Sequence, residues 1–284
     1  MKLLTTKADL GAWLKTRSSH PRVLVPTMGA LHRGHTSLFD QAREVAGAGG
    51  DVIATIFVNP VQFGPNEDFD AYPRPLDADL EKCQAHGVTA VFAPEAPEMY
   101  FPDRSITVNE SRLSTTLCGA SRPGHFDGVC TVVAKLFNLI QPDASIFGEK
   151  DFQQLTVIRR MVRDLDFPVR IIAGPTVREG DGLALSSRNA YLTPEQRTEA
   201  PLLHDSLTRV ARGIAVGSTR SPAEAVDFFR KEFARASLAR LDYFEIVDSI
   251  SLTPVTSFPH SAPRLIAAAF FGKTRLIDNI GLPS

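Results

Sequence analysis

The sequence predicts an α/β domain followed by a smaller α+β domain, and three observations carry that prediction. Short β-rich runs alternate with helix-period segments over the first 175 residues, the pattern that forces parallel strands joined by crossover helices. Those runs are nearly all apolar, as a sheet covered on both faces requires. After Pro175 the alternation stops, and two helical stretches precede two further β-like runs. The expected division is 1–176 and 177–284, with the boundary inside residues 174–190.

In chain order, strands are expected at Val23–Val25, Val52–Val58, Val88–Phe92, Ala144–Phe147 and Val169–Ala173. Helices are expected between them at Gly34–Ala46, Leu76–His86, Val129–Gln141 and Phe152–Asp166, the last stopped before Pro168 because proline disfavours helical backbone in the residue ahead of it. In the second domain, Pro194–Ile214 opens from Thr193 and Pro222–Ser237 from Ser221. A Ser or Thr hydroxyl accepts a first-turn N–H, and the fixed φ of proline suits the first helical position. The β-like runs are Tyr243–Val247 and Leu265–Phe271; no solenoid repeat or low-complexity tract interrupts them.

A chain of 284 residues, 43% apolar and 22% charged, can bury a core, which excludes the disordered, collagen-like and coiled-coil classes. Lys+Arg 31 against Asp+Glu 32 leaves a net charge of -1, so neither nucleic acid nor an anionic membrane is an expected partner and any anion must be caught locally. The longest apolar stretch, Leu265 to Phe271, falls far below the roughly 20 residues that span a bilayer, and the N-terminal apolar run is too short for a signal peptide. Cys83, Cys118 and Cys130 are odd in number and lack CxxC spacing, against both a disulfide framework and a zinc knuckle. Reduced, mostly buried thiols and a cytoplasmic location are the expectation.

Chemistry concentrates where strands give way to helices. Pro26-Thr27-Met28-Gly29-Ala30-Leu31-His32-Arg33-Gly34-His35 lies at the first such junction, where ligands of open α/β sheets bind and a helix N-terminus offers N–H groups and partial positive charge to an anion. Gly29 and Gly34 permit close backbone approach, and His32 and His35, three apart, suit hydrogen bonds to one phosphoryl group. Capping or surface histidines are an equal reading of His-x-x-His alone, and zinc a further one, though no third ligand lies near in sequence.

Gly-x-Gly-x-x-Gly is missing after the first strand, and Gly272-Lys273-Thr274 imitates a P-loop end only accidentally, because the required upstream glycine would be Ala267 in an apolar run. Ser145 to Gln154 again runs from strand through Gly148 into a helix, with Lys150 a mobile cation beside Glu149 and Asp151. Arg178 to Asn189, with Ser186, Ser187 and Arg188, suits a loop closing over polyphosphate and suits a linker equally well. Asn59, Gln62 and Gln154 are uncharged amides able to hold hydroxyl and carboxylate oxygens, or else buried structural amides. Tyr72, Phe63 and Phe152 supply apolar walls or core.

Met-Gly-x-Leu-His-x-Gly-His, Phe-Val-Asn-Pro-x-Gln-Phe, Arg-Pro-x-His-Phe-x-Gly-Val, Phe-Gly-Glu-Lys-Asp-x-Gln-Gln and Ser-Ser-Arg-Asn, in this order between residues 26 and 192, resemble the pantothenate synthetase family. The first loop alone is shared by a wider nucleotidyltransferase superfamily. The resemblance implies a Rossmann-like N-terminal domain, a small C-terminal lid domain, a homodimer, and ATP-dependent joining of pantoate to β-alanine with release of AMP and pyrophosphate. It implies that Met28, Gly29, Ala30, Leu31, His32, Arg33, Gly34 and His35 line the ATP site, with His35 a proton donor. It further implies nucleotide contacts from Gly148, Glu149, Lys150, Asp151, Val177, Leu185, Ser186, Ser187 and Arg188. Gln62 and Gln154 would hold pantoate, Asn59, Tyr72, Arg122 and His125 would stand around the pocket or its entrance, and Asp79, with Asp77 beside it, is the matching carboxylate for Mg2+. Leu185 departs from the methionine common in the family; the two are close in volume.

A carboxylate and an ammonium ion form no amide unaided, so transfer of AMP to the acid followed by amine attack is the chemistry implied. Donors aimed at the α-phosphate and the departing pyrophosphate would then carry the first step: His32, His35, Lys150, Ser186, Ser187 and Arg188. The rival readings are a nucleotidyltransferase with another small acceptor and a nucleotide-binding regulator without chemistry.

Overall fold

In the computed structural model, residues 1–17, 19–65, 67 and 69–282 are described; 283 and 284, the end of the expected second domain, lie outside them. The chain divides into two compact units, Met1–Glu149 with Val157–Pro175, and Lys150–Thr156 with Thr176–Ser284. The passage between them falls at 175/176 where the sequence suggests 176/177, and a short segment inside the α/β sequence joins the second unit.

The first unit runs β1 (Lys2–Leu4), α1 (Lys7–Thr16), β2 (Arg22–Thr27), α2 (Arg33–Ala46), β3 (Asp51–Ile56), α3 (Leu76–Ala85) and β4 (Ala90–Phe92). It continues through α4 (Ala96–Met99), α5 (Cys118–Ser121), α6 (His125–Ile140), β5 (Ala144–Gly148), α7 (Phe152–Asp164), whose first turn belongs to the second unit, and β6 (Arg170–Gly174). The six strands form one parallel sheet in the order β1-β4-β3-β2-β5-β6. The chain winds from β2 outward to β4, then returns through α6 to β5 on the other side of β2. Strand order therefore reverses between β2 and β5, and loops leaving their carboxyl ends diverge to open a crevice.

Amphipathic α2 buries Phe39, Ala42 and Ala46 against Val23 and Val25 of β2 and Val52 and Ala54 of β3. Cys83 and Cys130 are fully buried and Cys118 half-buried, all three free. Burial pushes the Cys83 and Cys130 thiols up to about 12, which keeps them protonated.

The second unit adds α8 (Pro194–Glu199), α9 (Leu202–Ala215), α10 (Pro222–Phe233), β7 (Ala239–Asp248), β8 (Pro263–Phe271) and β9 (Thr274–Gly281). Its antiparallel sheet has the order β7-β8-β9. Phe229 stacks on Phe233 and Phe244 at ring separations of 5.6 and 4.0 Å, inside a core shared with Leu207, Val210, Leu265 and Leu276. The single helix expected over Pro194–Ile214 is two helices, because Pro201 lacks an N–H and its ring clashes with the carbonyl four residues back. Gly272-Lys273 is the two-residue turn of the β8–β9 hairpin, with Gly272 at φ +60°, so the P-loop imitation is a hairpin.

Candidate active site

The loop leaving β2 is built from both ends. The Thr27 hydroxyl donates to the Thr55 carbonyl on β3 at 2.6 Å and accepts the Gly29 N–H at 3.2 Å. Gly29 and Ala30 then turn left-handed at φ +80° and +51°, a region that costs an alanine energy unless its surroundings enforce it. Asp79 enforces it: its two oxygens accept the N–H groups of Ala30 and Leu31, each at 2.8 Å, and the residue is fully buried. A Cβ at position 29 would stand 3.0 Å from Asp79 Oδ2 and 3.1 Å from Ile56 Cγ2, so a larger residue there would add crowding to the strain of its positive φ. Asp79, the carboxylate expected for Mg2+, therefore gives each of its oxygens to a backbone N–H group and holds the loop.

His32 and His35 also differ from a pair on one helical turn. His32 is the extended N-cap of α2, and its Nδ1 accepts the Gly34 N–H at 3.1 Å; His35 Nδ1 accepts the His32 N–H at 3.3 Å. The capping reading and the phosphate reading are thus compatible, because a ring nitrogen that accepts must be bare and the neutral ring then carries its proton on Nε2. The reciprocal cap fixes one tautomer in both rings, 4.1 Å apart at their centroids. The first turn of α2 is closed on itself, since the His35 N–H is also held by the His32 carbonyl at 2.7 Å.

Gln62 sits on a short turn after β3, oriented by a buried relay. Tyr100 OH donates to Asn59 Oδ1 at 2.8 Å; Asn59 Nδ2 donates to Gln62 Oε1 and to the Gly128 carbonyl, both at 3.1 Å; Gln62 Nε2 lies 2.9 Å from Met28 Sδ. Both amide hydrogens of Asn59 and its oxygen have partners, and through one of them the buried Asn59 orients Gln62. Tyr100, missed by the sequence reading, is held protonated by burial, its phenol pushed up to about 12.

His125 Nδ1–H donates to the Gln62 carbonyl at 2.8 Å, and Arg122 Nη1 donates to its Nε2 at 3.0 Å while gripping Glu67 at 2.7 and 2.6 Å. Burial raises the Glu67 carboxyl, but the Arg122 hydrogen bonds and charge outweigh it and hold the group below its usual range. Arg122 and His125 thus brace the Gln62 backbone. Tyr72 is buried edge-on to Phe63 at 6.1 Å.

Gly148 and Glu149 close the first unit's set at the end of β5. Lys150, Asp151, Gln154, Val177, Leu185, Ser186, Ser187 and Arg188 belong to the second unit. There Leu185 N–H donates to the Val177 carbonyl at 3.0 Å, the base of a small hairpin bridged at Arg178 and Ala184. Ser186 caps a 3-10 turn, Ser187–Tyr191, its Oγ accepting the Arg188 N–H at 3.3 Å. Lys150 Nζ lies 3.6 Å from Asp151 Oδ2. Among the described residues no group of three His, Cys, Asp or Glu could hold a metal ion, and no helix is long and apolar enough to cross a membrane.

The family model described as pantoate-beta-alanine ligase matches residues 2–281. The chain belongs to that family. A pantothenate synthetase of Akkermansia muciniphila is 53% identical over 99% of this chain and 100% of its own, and one of Pseudomonas putida is 53% identical over 99% and 98%. The crystal structure of pantothenate synthetase from Thermus thermophilus aligns over the whole of both chains with a TM-score of 0.92 and 45% identity. The Francisella tularensis pantoate-beta-alanine ligase, complexed with beta-gamma ATP and beta-alanine, aligns over 99% of this chain and 97% of that one with a TM-score of 0.80 and 31% identity.

Proposed function

We infer that the chain is an ATP-dependent ligase that condenses pantoate with β-alanine, and that it works through a pantoyl adenylate. The observation that carries this reading is the His32–His35 reciprocal cap at the reversal of strand order, in a chain belonging to the pantoate-beta-alanine ligase family over residues 2–281.

In the proposed reaction a pantoate carboxylate oxygen attacks the α-phosphorus of ATP, and the bond to the bridging oxygen of pyrophosphate breaks. The β-alanine amine, once neutral, attacks the acyl carbon; the C–O bond to AMP breaks, and the surplus amine proton passes to solvent. The Nε2–H groups of His32 and His35, the Lys150 ammonium and the Ser186–Arg188 donors meet charge that develops on the phosphates, where preorganised donors need no reorientation. Gln62 and Gln154 hold pantoate without adding charge, so the acid keeps its nucleophilic anion. Asp79 serves as the strut of the histidine loop, and any magnesium is assigned to the nucleotide, because this ion keeps several waters and rides on substrate phosphates.

A homodimer in the cytoplasm completes the reading, to be checked by sedimentation at working concentration, which should return twice the chain mass. The function itself is tested by pyrophosphate exchange into ATP over a panel of small carboxylic acids. Exchange is expected with pantoate and not with acids lacking its hydroxyls; equal exchange with unrelated acids favours the broader nucleotidyltransferase reading, and none at all favours a regulator.

A further inference from the structure

Lys150 is carried by the second unit, although α7, which begins two residues later, runs on into the first. The reason is a grip on its backbone. Asn279, on β9 and 5% exposed, donates its Nδ2–H to the Lys150 carbonyl at 3.0 Å. Its Oδ1 accepts from Arg264 Nη1 at 2.5 Å, and the Arg264 guanidinium lies 3.7 Å from the centroid of the Phe152 ring. The Asn279 N–H is held in turn by Asp278 Oδ1 at 2.7 Å, and Asp278 is clamped by Arg178 at 2.6 and 2.9 Å. One carboxamide thus needs a donor on one side and an acceptor on the other, which aspartate and leucine cannot supply together. The bond takes the main-chain carbonyl, so the Lys150 side chain, its Nζ 3.6 Å from Asp151 Oδ2, extends from a fixed stem.

We propose that Asn279 is a positioning residue for Lys150: with Arg264 it fixes the 150–152 turn so that the ammonium reaches the phosphates without first being ordered. The inference rests on the Lys150 role given above. Preorganisation of this kind acts on rate through geometry, and a small misplacement costs catalysis out of proportion to its effect on the fold.

The test is a double-mutant cycle read by pantoate-dependent pyrophosphate exchange, with kcat and the KM for ATP separated and folding checked by thermal melting. Lys150→Ala should lower kcat by roughly 10²–10³, the range for loss of a preorganised donor. Asn279→Ala should lower it on the order of 10-fold, and the double variant should fall no further than Lys150→Ala alone, since residues acting as a unit are non-additive. Leu276→Ala, in the same strand and core, is the structural control: whatever it costs should multiply with Lys150→Ala. If Asn279→Ala does not fold, Arg264→Met enters the cycle as the other half of the grip, with the same coupling expected. Normal exchange in Lys150→Ala overturns both the Lys150 role and this inference. An impaired Lys150→Ala with an additive or silent Asn279→Ala overturns the inference alone.

Discussion

Asp79 carries more of the site than its chemistry suggests. Its carboxylate fixes two consecutive backbone N–H groups just ahead of His32, so the direction in which both imidazoles point depends on a residue on α3. Asp79→Asn would turn an NH2 group against one of those donors, and leaving a buried N–H unpaired costs about 1–3 kcal/mol. The variant should melt earlier and lose adenylation on the order of 10-fold or more, as misplaced catalytic groups do. Raising magnesium should not restore it, whereas a metal ligand's loss would be partly rescued; a titration of exchange rate against magnesium in both proteins decides. The sequence offered Asp79 as a carboxylate of the right type. Its partners lie 48 and 49 residues away, and no spacing rule connects them, so the loop-holding task becomes visible only once α3 is packed against the loop.

At the scale of elements, the central parallel strands and helices such as α2 and α7 were readable because apolar runs and amphipathic periods mark them. The edges were not. β1 is three residues long and includes a lysine, so its β character comes from pairing with β4; α1 lacks a marked apolar stripe, though the Thr6–Asp9 cap, with Thr6 Oγ1 accepting the Asp9 N–H at 3.0 Å, is a signal that could have found it. β9 mixes charged and apolar residues and is recognisable only as the partner of apolar β8. The histidine motif was legible as a strand-to-helix junction, but the reciprocal cap that sets both tautomers required the actual dihedral angles. The α6 contact with the Gln62 turn is another such feature. A Cβ at Gly128 would stand 2.4 Å from the Val61 carbonyl and 2.6 Å from Gln62 Cα. Gly128→Ala must therefore displace the Gln62 turn, and it should raise the KM for pantoate several-fold more than the KM for ATP. Equal effects on both substrates in steady-state assays would contradict the assignment of Gln62 to the acid.

At the scale of the whole molecule, two units each carry part of the proposed chemistry, the first its histidines and Gln62, the second Lys150 and the serine–arginine turn. The second unit depends on buried Asp278, whose carboxyl burial would raise but which His204 and Arg178 hold below the ordinary aspartate range. A depressed folded value means stability that is present above the unfolded value of about 3.9 and lost as pH falls through the lower folded one. Asp278→Asn should thus cost about 3–5 kcal/mol at neutral pH, the range for breaking a buried pair, with the gap from the parent narrowing only in acid below that point. Melting curves over the acid range check the sign. The central claim, that the acid is activated by AMP transfer, is tested most directly by following oxygen. Pantoate with a heavy-oxygen-labelled carboxylate, turned over with ATP and β-alanine, should yield AMP bearing one labelled oxygen and unlabelled pyrophosphate. Label in inorganic phosphate with ADP as the nucleotide product, or AMP free of label, would contradict it.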